Sequence, residues 1–312
     1  MSAAAEVTTM LSEALDGAVI ADLVRLSGGA SRDTWRFVAG GRSLVAQVQR
    51  PGDERDMLIE AGVVRAAGER GVPVPGLVAA HRRSDGLAFM VLDAVDGETI
   101  ARKIQRDDDF VVARQRLVGE LGGALAAIHR LDPDRIDGLE RTDQIAFYTD
   151  ALDELGEPHP VLELVRRWLL ANRPDAQRTA VVHGDFRLGN MIVGPEGLRA
   201  VIDWELAHIG DPTEDLGWLC VKAWRFGGDR PVAGLGGYDE LFAAYEAAGG
   251  EPVDPDAVRW WEVLGTWKWA VMCIVQASAH RSGAVRSHEL AAIGRRVCEN
   301  EHDLFLALDG RW

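Results

Sequence analysis

Apolar positions recur at helical spacing over residues 7–24 (Val7, Met10, Leu11, Leu15, Val19, Leu23), which predicts an opening helix. The period then shortens to two. Leu26 to Val38 reads as a strand, a turn at Gly28-Gly29 and a second strand. Residues 43–49 predict a third strand, with Leu44, Ala46 and Val48 on one face and Val45, Gln47 and Gln49 on the other. Helical spacing returns at 56–68 through Leu58, Ile59, Val63 and Val64, and Gly71-Val72-Pro73-Val74-Pro75 stops it. Residues 77–80 and 87–92 predict two further strands around the polar turn at 83–86.

Beyond the stretch Asp93-Ala94-Val95-Asp96-Gly97-Glu98 the pattern is mainly helical, over 109–131, 142–156, 159–172, 238–248, 255–279 and 285–308. This predicts an α+β chain in two parts. A small antiparallel sheet with one inserted helix takes residues 1–93, and a larger, mainly helical part takes 94–312.

The helical part is interrupted once, by a short β segment that carries chemistry. Val181-Val182 leads into His183-Gly184-Asp185, and Asn190 follows Asp185 by five residues. Met191-Ile192-Val193, a turn at Gly194-Pro195, and Ala200-Val201-Ile202 then lead to Asp203. A hairpin of this kind brings Asp185, Asn190 and Asp203 to one end. Phosphoryl transfer from a nucleotide needs such a set: one carboxylate facing the acceptor hydroxyl, and an amide and a second carboxylate holding magnesium. Each residue alone reads equally as an ordinary turn former; the spacing of all three favours the chemistry.

Composition narrows the partners. The formal charge is −15 over 312 residues, which argues against nucleic acid and anionic membrane as partners. Cys220, Cys273 and Cys298 have neither metal-ligand spacing nor a disulfide pattern, so a cytoplasmic setting is expected. The most apolar late run, 267–279, contains Lys268 and is too short to span a bilayer. Most of the ten tryptophans are expected to be core.

These motifs together resemble the aminoglycoside phosphotransferase and choline kinase family, which has a two-lobed protein-kinase-like fold. The likeness runs nearly end to end. It rests on Leu26–Trp35, Glu60, Gly71–Pro75, Val91–Asp93, His183–Asn190 and Ile202–Leu216. Within the family the chain is most similar to a bacterial branch of phosphotransferases known only by that general description, itself similar to the kinase-like domain fused to some acyl-CoA dehydrogenases. The resemblance implies ATP, or GTP, and Mg2+ as cofactors and a hydroxyl on a small molecule as acceptor. It implies Asp185 as the catalytic base, Asn190 and Asp203 as magnesium ligands, and Asp215 and His183 as braces of the loop. Ser27, Gly28, Gly29, Ala30 and Ser31 would cover the phosphates, with Gln47 and Glu60 nearby, and Val91, Leu92 and Asp93 would line the adenine slot.

One position departs from the family. The third strand should carry a cation that grips phosphate and pairs with the helix carboxylate Glu60, yet the aligned residue is Gln47. Arg32 or Arg50 is a candidate substitute, and Gln47→Arg is expected to restore the grip. Lys222, Trp224 and Arg225 form a possible acceptor site suited to an anion, whereas Glu299, Glu301 and Asp303 would suit an aminoglycoside. Two rivals stay open: a non-catalytic nucleotide-binding module, and a metal-dependent hydrolase with His183 and Asp185 as ligands.

Overall fold

The computed structural model describes residues 3–26, 32–53, 55–175 and 178–311. Helix α1 (Ala3–Ala14) is followed by strands β1 (Ile20–Arg25), β2 (Arg32–Ala39) and β3 (Arg42–Gln49), then helix α2 (Met57–Glu69) and strands β4 (Leu77–Arg82) and β5 (Ala88–Asp93). The five strands form one antiparallel sheet in the order β1-β2-β3-β5-β4. The single helix expected over 7–24 is therefore a helix and a strand. The breaker is Asp16-Gly17, both at positive φ (54° and 81°), where an Asp-Gly pair turns the chain at low steric cost. β1 is a bulged edge strand with little buried surface, so its apolar residues carry no clear two-residue period.

Alternation on β3 separates two environments. Leu44, Ala46 and Val48 join Trp35, Phe37, Phe89 and Val91 in a core closed by Val7 and Leu11 of α1. Val45 and Gln47 face the opposite way, into the cleft beneath the sheet. Helix α2 starts where the Asp56 carboxylate caps the Leu58 amide, and ends at Gly71 (φ 79°) before the proline pair.

The second part holds α3 (Ala101–Arg106), α4 (Val111–Ile128), α5 (Gln144–Asp153) and α6 (Pro160–Ala171). Short strands follow: β6 (Ala180–Val182), β7 (Met191–Gly194), β8 (Gly197–Val201) and β9 (His208–Gly210). After them come α7 (Thr213–Cys220), α8 (Tyr238–Ala247), α9 (Pro255–Arg281), α10 (His288–Ile293) and α11 (Arg296–Leu308). The helix expected over 285–308 is split in two at Gly294. β7 pairs with β8 as the expected hairpin, while β6 pairs with β9, too short a strand to show a period. Helix α9 runs for 27 residues through the interior and stacks Trp260, Trp261 and Trp267 against α5 and α6. The Trp260 and Trp267 indole N–H groups reach the Leu169 and Leu162 carbonyls at 3.1 and 3.0 Å, as expected of structural tryptophans. Among the described residues no helix is long and apolar enough to cross a membrane.

Because Leu11 is fully buried between α1 and the sheet, Leu11→Ala is expected to destabilise the protein by about 2–4 kcal/mol, the usual range for a buried leucine. A lower urea midpoint at unchanged slope would show it.

Candidate active site

The loop between β6 and β7 is fixed from three sides. From α7, the buried Asp215 carboxylate accepts the His183 and Gly184 amides at 2.8 and 2.9 Å and His129 Nε2 at 3.1 Å. Burial alone would raise the Asp215 pKa; the His129 hydrogen bond and the neighbouring amides outweigh it and hold the carboxyl below its usual range. From within the loop, His183 Nε2–H donates to the Ile202 carbonyl at 3.1 Å and Nδ1 accepts the Asp185 amide at 3.2 Å. Burial holds its pKa below the usual range, and both imidazole nitrogens are occupied by backbone groups, which leaves no free lone pair for the ligand role that the hydrolase reading needs. From below, Lys268 of α9 donates to the Gly184 carbonyl at 2.9 Å. Gly184 sits at φ 78°, and a Cβ there would lie 2.4 Å from the Leu206 carbonyl oxygen, so only glycine fits.

This frame presents Asp185 with its carboxylate held by three donors. Trp218 Nε1–H reaches Oδ1 at 2.8 Å, Asn190 Nδ2 reaches Oδ2 at 2.6 Å, and Arg187 Nε bridges both oxygens at 3.0 and 3.2 Å. The Arg187 guanidinium lies 4.9 Å from the Trp224 ring centre, within cation–π range. Neither Arg187 nor Trp218 stood out in the sequence. An arginine two residues beyond an aspartate and a tryptophan on an apolar helix look ordinary until the loop folds.

Asp203 lies beside this group. The Ile202 amide donates to the Asn190 carbonyl at 2.9 Å, joining the two segments. Asp203 itself adopts φ 66°, sparsely populated for a residue with a Cβ and characteristic of functional sites. Burial, together with the Glu205 charge, pushes its pKa up to about 7 against the opposing pull of Arg32. The Asn190 amide nitrogen is spent on Asp185, so its oxygen, the atom that binds a hard cation, has no hydrogen-bond partner among the described residues. One carboxylate and one amide oxygen fit Mg2+, which keeps water and phosphate as most of its ligands. Among the described residues there is no cluster of three or more His, Cys, Asp or Glu suited to a metal.

Glu60 finds its cationic partner on the neighbouring strand. Arg32, near the start of β2, is buried and reaches Glu60 of α2 with Nη1 at 2.8 and 2.9 Å. The same nitrogen donates to Gln47 Oε1 at 2.8 Å, and Nη2 reaches Glu205 at 2.7 Å and Asp203 at 3.7 Å. Glu60 is therefore not a solvated helix carboxylate. Gln47 serves as an acceptor for Arg32, so Gln47→Arg would set two cations together instead of restoring a grip. Arg50, the other candidate, pairs with Asp33.

The cleft beneath the sheet has a volume of about 250 Å³ and is lined by Val45, Gln47, Met90, Leu92, Ile192 and Asp203 among others. Of the expected slot residues, Leu92 and Asp93 line it, but Val91 points into the α1 core, as β-strand alternation requires. Ala94 and Val95 extend the lining instead. Ser27 to Ser31 lie outside the described residues. Trp224 is buried against Trp218 and Trp269, Lys222 pairs with Asp303, and Arg225 is committed to the Cys220 carbonyl and the buried Glu262. Of the alternative acidic set, Asp303 is taken by Lys222, and Glu299 lies 3.7 Å from Arg296.

A model of the phosphotransferase enzyme family matches residues 22–261. The chain belongs to that family. A protein from Ralstonia eutropha JMP134, provisionally named an aminoglycoside phosphotransferase, superimposes with a TM-score of 0.75 at 21% identity over 97% of each chain. Aminoglycoside phosphotransferase APH(4)-Ia gives 0.64 at 18% identity, over 96% of this chain and 98% of its own. The fold is thus kinase-like, with a five-stranded antiparallel sheet ahead of a helical region. Acyl-CoA dehydrogenase family member 11 of Rattus norvegicus is 28% identical over 222 residues, covering 65% of this chain and 28% of the relative. Family member 10 of Mus musculus is 47% identical over 64 residues, 20% of this chain and 6% of its own. The chain spans less than a third of the length of these curated relatives.

The raised Asp203 pKa has a measurable sign. Protonation is favoured in the folded state, so this group's contribution to stability is fully present below pH 3.8 and is lost as the pH rises toward 7. In EDTA, Asp203→Asn is expected to melt about 2 °C higher than the parent at pH 8. That corresponds to about 1 kcal/mol once the exposure of the side chain is allowed for. The difference should shrink steadily as the pH is lowered toward 4, as read by thermal melts across that range.

Proposed function

We propose that the protein transfers the γ-phosphoryl group of ATP to a hydroxyl on a small molecule. The observation that carries this reading is the convergence of Asp185, Asn190 and Asp203 beside a buried Arg32–Glu60 ion pair. Phosphoryl transfer is mainly positioning and electrostatic stabilisation, and these are its parts. A solved relative of this fold, 18% identical with a TM-score of 0.63, was captured with AMP-PNP and hygromycin B, which supports a nucleotide in the cleft and a small-molecule acceptor.

In this mechanism Asp185, aimed by Trp218 and Asn190, orients the acceptor hydroxyl and takes its proton late. Arg187, which holds both Asp185 oxygens and lies over the Trp224 ring, would add positive charge beside the transferring phosphoryl group. Arg32, held by Glu60, faces the nucleotide phosphates in place of a third-strand cation. Asn190 and Asp203 would hold Mg2+, which offsets phosphate charge when bound. The relatives' association with acyl-CoA dehydrogenation makes hydroxyacyl thioesters worth testing as acceptors beside aminoglycosides, choline-like amines and sugars. The non-catalytic alternative draws on Gln47, and Arg32 weakens it by restoring a cation at that point.

The reading is tested by transfer from ATP and GTP with magnesium across that acceptor panel. Asp185→Ala should lose at least 100-fold in turnover, on the order of what a positioned acid or base supplies, while still binding nucleotide. Equal turnover by Asp185→Ala would refute the mechanism. Arg32→Lys, a point charge that cannot bridge Glu60, Gln47 and Glu205 together, should weaken ADP binding by about tenfold, the worth of one charged hydrogen bond. Titration of a fluorescent ADP analogue measures this, and unchanged affinity would remove Arg32 from the phosphate site.

A further inference from the structure

Beneath the loop lies a set of buried charges that the transfer mechanism leaves without a task. Lys268 is 2% exposed. Its Nζ donates to the Gly184 carbonyl at 2.9 Å and lies 3.4 Å from Glu214 Oε1. Glu214 Oε2 accepts from His208 Nε2 at 3.1 Å, and His208 Nδ1 donates to the Leu206 carbonyl at 2.8 Å. A Cβ on Gly184 would meet that same Leu206 oxygen at 2.4 Å, so the ends of the chain are in contact. The groups form a closed circuit, starting at the residue before Asp185 and returning through the third residue after Asp203. Lys268 Nζ also lies 4.6 Å over the ring of Trp218, whose indole N–H holds Asp185.

Stability alone does not account for this arrangement. Buried ion pairs gain little over apolar packing of similar shape, because desolvation offsets most of the attraction. What a fully paired buried network does supply is one defined geometry. An apolar residue at 268 would fill the space but would leave the Gly184 carbonyl free to shift relative to Leu206.

We propose that the Lys268–Glu214–His208 circuit is a positioning device that sets the separation between the Asp185 loop and the Asp203 segment. Lys268 touches neither substrate nor reacting atoms; it acts through Gly184 and through Trp218. The inference rests on the transfer reading given above, in which Asp185 faces the acceptor and Asp203 the phosphates.

The experiment uses the full chain, with release of inorganic phosphate from Mg-ATP to water as the turnover probe and a fluorescent ADP analogue as the binding probe. In Lys268→Met, release is expected to slow about 30-fold, since displacements near 1 Å from the productive geometry cost up to a hundredfold. ADP affinity, read without magnesium, should stay within about twofold, because Arg32 and the sheet side of the cleft are not touched. Hydrogen exchange should quicken together in peptides covering 181–190 and 203–210 and stay unchanged in 32–49. Glu214→Gln keeps the shape and removes the charge. It should show a smaller loss of the same kind, about three- to tenfold, and serves as the test if Lys268→Met does not fold. Unchanged release in a folded variant overturns the proposal, as does exchange that rises evenly along the chain or a parallel loss of ADP affinity. Asp185→Ala separates the two readings. If it is inactive while Lys268→Met is fully active, the positioning proposal alone falls; if it retains release, the transfer reading falls and the proposal with it.

Discussion

The Asp215 carboxylate, sealed inside α7 and receiving the His183 and Gly184 amides, is the contact on which the site depends. Two backbone donors on one buried carboxylate fix the direction of the chain as it leaves β6. That direction puts Gly184 against Leu206 and leaves no room for a side chain. Asp185 then has one orientation open to it, in which Trp218 and Asn190 meet its two oxygens. Losing an acceptor that serves several buried donors leaves each of them unsatisfied, so the loop holds or fails as a unit.

Around this frame the site concentrates negative charge. Asp185, Asp203, Glu205 and Glu60 stand close together, with Arg32 among them in contact with three of the four. The crowding raises the Asp203 pKa, and Asp203 holds a left-handed backbone at φ 66°. Local strain and like-charge repulsion of this sort persist where surrounding structure over-determines them. Here the surroundings are the α9 core below and the α1-covered sheet above, both built of buried apolar side chains.

Much of this was legible from residue order. The alternation of β3, the capped and proline-stopped α2, the helical second part and the β7–β8 hairpin each follow from a period or a breaker contained in a short window. So does the grouping of His183, Gly184, Asp185 and Asn190, because eight consecutive positions hold all four. The opening helix ends earlier than its apolar spacing predicts because Ile20–Arg25 is an exposed edge strand, whose apolar residues answer to no buried face. β9 leaves no mark in the sequence because three residues carry no period.

Residue order alone sets the local chemistry: which short segments turn, which alternate, and which carry an aspartate and an asparagine five residues apart. Partnerships between residues distant along the chain arise only when the elements pack. Gln47 left a gap in the expected strand cation. Arg32 pairs with Glu60 and Gln47 from across a pair of strands, because neighbouring antiparallel strands set side chains two positions apart within reach of one another. Lys268, in sequence merely the charge that interrupts an apolar run, lies 84 positions from the Gly184 carbonyl it holds. Nothing in a window of a few residues encodes such a contact. Burial does, because a charge enclosed by the core must find its partner there.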